Sequence, residues 1–169
     1  MRAMRTWLGV LLLSLLLVGC GFSLKRSAPL SPALAELALD PGAADAALVE
    51  GLTRELGAAG ATLKPLNAPG VSVLTLSDYA LRRDVVSVDE RAKVGEYELH
   101  LKLSYAVSDA EGAALLKPTP LELSRVYSFD EQQALAAAQE EEVLRRELIA
   151  DAVAQIIERL QRVQAAAPR

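Results

Sequence analysis

Tyr97-Glu98-Leu99-His100-Leu101-Lys102-Leu103-Ser104-Tyr105-Ala106-Val107 is the stretch on which the fold turns. Its apolar residues take every second position, and polar or small residues fill the gaps. Successive side chains of a strand point to opposite faces, so a period of two predicts one face on a core and the other toward water or a partner. Ser108-Asp109-Ala110-Glu111-Gly112 follows as a turn. Leu121, Leu123, Tyr127 and Phe129 then resume the alternation, with Arg125 in register among them. The pair predicts an antiparallel hairpin.

Working outward, the β-branched and apolar residues 71–77 predict a strand that continues toward Val88. Before it, residues 61–66 can form a short strand that ends in the Pro65 and Asn67-Ala68-Pro69-Gly70 break. Residues 33–39 read as a first strand, with Leu37 and Leu39 on one side. After Asp40-Pro41-Gly42, Asp45 opens a helix in which Leu48, Val49, Leu52 and Leu56 fall at helical spacing. Downstream, Ser128-Phe129-Asp130-Glu131 has the spacing of a capping box, and a long helix is expected from there to about Val163. Leu144, Leu148, Ala152, Ile156, Leu160 and Val163 form its stripe, widened by Ile149, Val153 and Ile157, which is broad enough to lie on a sheet. The order β-α-β-β-β-α predicts an α+β fold with two helices on one face of a four-stranded mixed or antiparallel sheet.

The N-terminus carries a different signal. Residues 1–6 hold Arg2 and Arg5, and residues 7–19 are a leucine-rich run of 13. That run is shorter than the roughly 20 apolar residues a spanning helix needs, and its layout is that of a secretory signal. It ends in Leu17-Val18-Gly19-Cys20, which is similar to the bacterial lipobox, in which the cysteine becomes the mature N-terminus and takes acyl chains such as palmitate. At about 0.8 kcal/mol per buried methylene, two or three such chains anchor a protein stably on a membrane. Gly21 follows, where lipoproteins kept in the inner membrane typically carry Asp, so transfer to the outer membrane is expected. The division predicted is a signal peptide at 1–19, a lipidated tether at 20–32, one α+β domain at 33–164 and a short disordered tail at 165–169.

Composition excludes several function classes. Without Arg2 and Arg5 the 18 basic residues of the 169-residue chain become 16 against 22 acidic, a balance of −6 from Cys20 onward. An acidic chain without a long basic block is a poor binder of nucleic acid. One cysteine excludes an internal disulfide framework and a cysteine-based zinc cluster. The single histidine, His100, lies on the polar side of the clearest strand with no triad partner in view, and phosphate-loop spacings are missing. No catalytic residue, metal ligand or cofactor site is therefore expected, and the chain is not read as an enzyme. The basic residues are the remaining chemistry. Arg82, Arg83, Arg91 and Lys93 flank the connection between two long strands, with Lys102, Lys117 and Arg125 on the hairpin beyond. At one end of a sheet they could hold a phosphorylated lipid, since the guanidinium fork fits two phosphate oxygens. Interleaved with Asp84, Asp89, Glu90 and Glu96, they could equally form a neutral solvated surface.

Cys20-Gly21-Phe22-Ser23-Leu24-Lys25 resembles the mature start of the LptE family of lipopolysaccharide-assembly lipoproteins. Gly95-Glu96-Tyr97-Glu98-Leu99 is similar to a family strand that opens with Glu-Tyr. Tyr127-Ser128-Phe129-Asp130 with Ala134-Leu135-Ala136 is similar to the family's strand-to-helix junction. Glu140-Glu141-Glu142 followed by Leu144-Arg145-Arg146-Glu147-Leu148 fits the start of its last helix. The resemblance implies a Gram-negative outer-membrane lipoprotein, anchored through Cys20, that partners the β-barrel LptD, plugs it, helps it fold and binds lipopolysaccharide. It also implies lipid contact through basic residues near strand ends. Arg91 occupies a comparable place, while Glu122 stands on the strand where a second basic residue would be expected. A pilotin-like lipoprotein serving a different channel, or an auxiliary lipoprotein of a lipid-transport system, are the alternative readings of the same anchored domain.

Overall fold

A computed structural model describes residues 30–90 and 92–163. A single 3-10 turn at Pro32–Leu34 leads into β1 (Glu36–Asp40), α1 (Ala46–Ala58), β2 (Thr62–Lys64), β3 (Ser72–Val88), β4 (Val94–Ser108) and β5 (Ala114–Ser128). A second turn, Glu131–Gln133, leads into the long helix α2 (Ala134–Gln161). The sheet runs β2-β1-β3-β4-β5, parallel at its first two pairings and antiparallel at its last two. It has five strands rather than the four expected. The short strand read at residues 61–66 is realised as β2, which stops at Lys64 because Pro65 cannot donate to a ladder, and it joins the sheet at its edge. The first strand also begins later than expected, because Pro32 starts a helical turn that buries Leu34.

The alternation of β4 is realised in full. Leu99, Leu101, Leu103, Tyr105 and Val107 are buried, and they form one core with Leu37, Leu74 and Leu76 of the neighbouring strands. Leu48, Leu52 and Leu56 of α1 and Leu148, Ala152, Ile156 and Leu160 of α2 close that core from one side of the sheet. Asp45 caps α1, its Oδ1 accepting from the Ala47 amide at 2.7 Å. The capping box expected at Ser128 does not form. Ser128 is still paired in the ladder opposite Glu96, and Asp130 caps the turn instead, accepting from the Gln132 amide at 2.9 Å. Arg125, the polar residue in an apolar register, meets Asp151 of α2 in an ion pair.

Two features of β3 position the rest. β1 pairs with it only over Ser72–Thr75, so its remaining length, with the first part of β4 and the last part of β5, projects past the parallel part of the sheet. The β3–β4 register slips between Ser77 and Ala80, around Asp78 at a φ of 54°. Asp tolerates this left-handed conformation better than most residues. The extra residue reverses the facing of the residues that follow as far as Val85, beyond which the register shifts again. Leu74 and Leu76 point to the core before the bulge, whereas Leu81 and Arg83, opposite Leu101 and Leu99, point to the helix side after it.

Candidate functional site

Of the basic residues expected at the strand ends, Lys93 stands at the far tip of the β3–β4 hairpin, while Arg82 and Arg83 lie inside β3, six and five residues short of its end at Val88. The bulge decides their roles. Without it the even positions would continue inward and Arg82 would face α2; with it Arg83 does. Arg82 stands exposed on the uncovered face, opposite His100, and its side chain has no ion pair or hydrogen bond among the described residues. The two arginines therefore do not converge. Arg91 lies outside the described residues. Lys93 is tied back to Asp89: the Lys93 amide donates to Asp89 Oδ1 at 2.9 Å, and the Asp89 amide donates to the Lys93 carbonyl at 2.7 Å. The Lys93 ammonium is held by Glu131, and that bond raises its pKa above the usual lysine value.

Arg83 is bound into a hub that the sequence reading did not contain. Its guanidinium carbon lies 4.4 Å from the centroid of the Tyr97 ring, and its Nη1 donates to Glu141 Oε2 at 2.9 Å. The Tyr127 hydroxyl donates to the same oxygen at 2.6 Å. Arg145, one turn along α2, donates to Glu141 Oε1 from Nε and Nη2 at 3.1 and 2.8 Å. Burial alone would raise the Glu141 carboxyl, but the hydrogen bonds from Tyr127, Arg145 and Arg83 outweigh it and hold the group at about 2. The bond to Glu141 in turn raises the Arg83 pKa. Tyr97 also packs edge-on against Phe129, with centroids 5.2 Å apart, and beside Tyr127 at 5.8 Å. This hub fastens α2 to β3 and β5 just below the tip. In the sequence, only the Glu141–Arg145 spacing of four hints at it.

The tip is apolar as well as basic. Val85, Val86, Val88 and Val126 are each more than half exposed there. On the uncovered face of the sheet, Glu122 lies between Lys102, at 3.5 Å, and His100, at 4.0 Å. The position at which a second basic residue is expected is thus an acid, paired with Lys102. Among the described residues, no group of three or more His, Cys, Asp or Glu side chains is placed to hold a metal ion, and no helix is long and apolar enough to cross a membrane. Cys20 also lies outside the described residues.

Comparison with known proteins adds the family. Among curated proteins none matches. Among solved structures, a minor lipoprotein from Acinetobacter baumannii is 27% identical with a TM-score of 0.65, over 80% of this chain and 98% of that one. Rare lipoprotein B from Shewanella oneidensis is 28% identical with a TM-score of 0.62, over 74% and 92%. Lipoprotein B from Nitrosomonas europaea has a TM-score of 0.70 over 85% and 90%, and at 23% identity it speaks for the fold alone. The family model for LptE, lipopolysaccharide-assembly, matches residues 34–160, which takes in all five strands, α1 and all but the last residue of α2. On that match the chain belongs to the LptE lipopolysaccharide-assembly family.

Proposed function

We propose that this protein is an outer-membrane lipoprotein that plugs and helps assemble the LptD β-barrel and takes part in delivering lipopolysaccharide to the outer leaflet. The family match over residues 34–160 carries the reading. The architecture supports it. Both helices cover one face of the sheet, and the other face presents Arg82, Glu98, His100, Lys102 and Glu122. A charged, mixed face suits the polar lumen of an outer-membrane barrel. The relatives named as lipoproteins support an envelope location, with Cys20 as the anchoring residue. Pull-down of the tagged mature protein from detergent-solubilised outer membranes tests the reading. One stoichiometric large β-barrel is expected; a secretin ring would instead support the pilotin-like alternative.

Cys20→Ser is expected to leave an unprocessed precursor, because lipobox cleavage follows thiol modification. Appearance of labelled palmitate in the variant would refute the anchor. Assembly with the barrel is expected to survive in part, since a large protein interface holds without the acyl chains.

Lipopolysaccharide phosphates must meet cations, and Arg82, Arg83, Arg91 and Lys93 remain the proposed set. Their separation in the structure selects the variants. Reversing Arg83 would break the Glu141 hub, and reversing Lys93 would leave Glu131 unpaired. Arg82→Asp with Arg91→Asp avoids both of those bonds. It is expected to weaken lipopolysaccharide binding, with the loss shrinking as salt rises, and to leave the barrel complex intact. Binding of purified lipopolysaccharide at low and high salt, with co-purification of the barrel in parallel, checks it. Unchanged binding would assign these arginines to the solvated surface.

A further inference from the structure

We propose that residues 20–29, the tether ahead of the first described residue, lie in the valley between α1 and α2 and so fix where the acyl anchor stands against the domain. The proposal rests on the reading of Cys20 as the anchor. The two helices touch at Gly51, where a Cβ would come within 3.0 Å of Val153 Cγ2. Outside that contact runs an open valley of about 500 Å³. Its floor is unusual for a helix pair facing water: Ala47, Gly51, Ala150 and Ala154 leave room that larger residues would fill, and Ile149 and Val153 make it apolar.

The chain itself supplies an occupant of the right length. The Leu30 amide donates to the Ala59 carbonyl, so the tether arrives at the C-terminal end of α1. From there Glu50 lies about 14 Å back along the helix and Ala47 about 18 Å. Lys25 and Arg26, four or five residues before Leu30, reach roughly 13–18 Å when extended, and Leu24 and Phe22 reach roughly 20–28 Å. Charge agrees with length. Of the charged residues on the rim, Arg54 is paired with Glu55 and Arg146 with Glu142, whereas Glu50 has no ion pair among the described residues. The basic pair Lys25-Arg26 reaches that acid, and Phe22 and Leu24, two apart on one side of an extended segment, reach the small-residue floor. Docked in this way, Cys20 sits beside the flank of α2 rather than beneath Leu30, and the bilayer surface lies along the side of the domain.

The test uses the full lipoprotein purified in detergent. Leu24→Cys is combined with Ala150→Cys in the valley, or with Thr53→Cys, an exposed position of α1 that does not line it. Under mild oxidation the Ala150 pair is expected to cross-link several-fold more than the Thr53 pair. Phe22→Ala or Ala47→Trp is expected to remove that preference, and two separate variants guard against one that fails to fold. Equal cross-linking at both positions would overturn the proposal. Cross-linking of Ala166→Cys with Ala150→Cys in place of Leu24→Cys would also overturn it, since the C-terminal tail would then be the occupant. The mass of the Cys20 peptide is read in the same sample. An unmodified Cys20 refutes the anchor, while the cross-link ratio independently decides the docking.

Discussion

Ile156→Asp is expected to leave the domain without a cooperative unfolding transition. Ile156 is fully buried at the centre of the stripe that α2 lays on the sheet, within the same core as Leu52, Leu101 and Leu103. No described basic residue is buried in that core to meet a new carboxylate. Placing an unpaired carboxyl there costs on the order of several kcal/mol, against a total stability of about 5–15 kcal/mol for a domain of ordinary size. Leu148→Asp, also fully buried and two turns earlier, is expected to act in the same way. Glu158→Ala is the matched control. Its side chain is exposed and its bond to Arg162 spans one turn of the helix surface, so the change is expected to stay within about 0.5 kcal/mol. Thermal and urea unfolding followed by circular dichroism decides the matter. A melting point within about 2 °C of wild type for Ile156→Asp would mean that this stripe does not face the sheet.

The stripe is legible in the sequence because the helical period and burial are local properties of one element. The same holds for β4, where every apolar position of the alternating stretch from Leu99 to Val107 is buried. What the sequence hides depends on a single residue or on distant partners. The bulge at Asp78 leaves no pattern that distinguishes it from an ordinary strand, yet it decides that Arg83 meets α2 and Arg82 meets solvent. A continuous period of two through β3 would give the opposite assignment. Arg125 is hidden for the second reason: it looks misplaced until Asp151, 26 residues later, is brought against it. The Glu141 hub joins three elements, and Arg83 lies 58 residues from Glu141. The capping box expected at Ser128 is replaced by Asp130 on the turn ahead of α2 because Ser128 belongs to the ladder, and only strand pairing reveals that.

Glu141→Gln is expected to destabilise the domain at neutral pH and to match wild type ever more closely as the solution is acidified. Glutamine keeps the size of the side chain and an oxygen that accepts from Tyr127 or Arg83, so the variant removes the charge and little else. The carboxyl is held at about 2 in the fold, against an ordinary value of 4.5. A group whose folded pKa is depressed stabilises the fold above its unfolded pKa, and that contribution disappears as pH falls through the folded value. The stabilisation is therefore complete above about pH 4.5 and is lost between there and about pH 2. The full shift corresponds to roughly 3 kcal/mol. Arg83 is about half exposed and Arg145 a third, so screening brings the expected difference nearer 1–2 kcal/mol. Other carboxylates, such as Asp151 beside Arg125, also become protonated in acid, so the useful quantity is the difference between variant and wild type at each pH. Urea unfolding of both proteins at pH 7 and near pH 3 measures it. A gap of the same size at both values would show that Glu141 acts through shape. A gap that narrows in acid would show that its charge holds α2 to β3 and β5, and with it the β3–β4 hairpin whose Arg82, Arg91 and Lys93 are proposed to meet lipid.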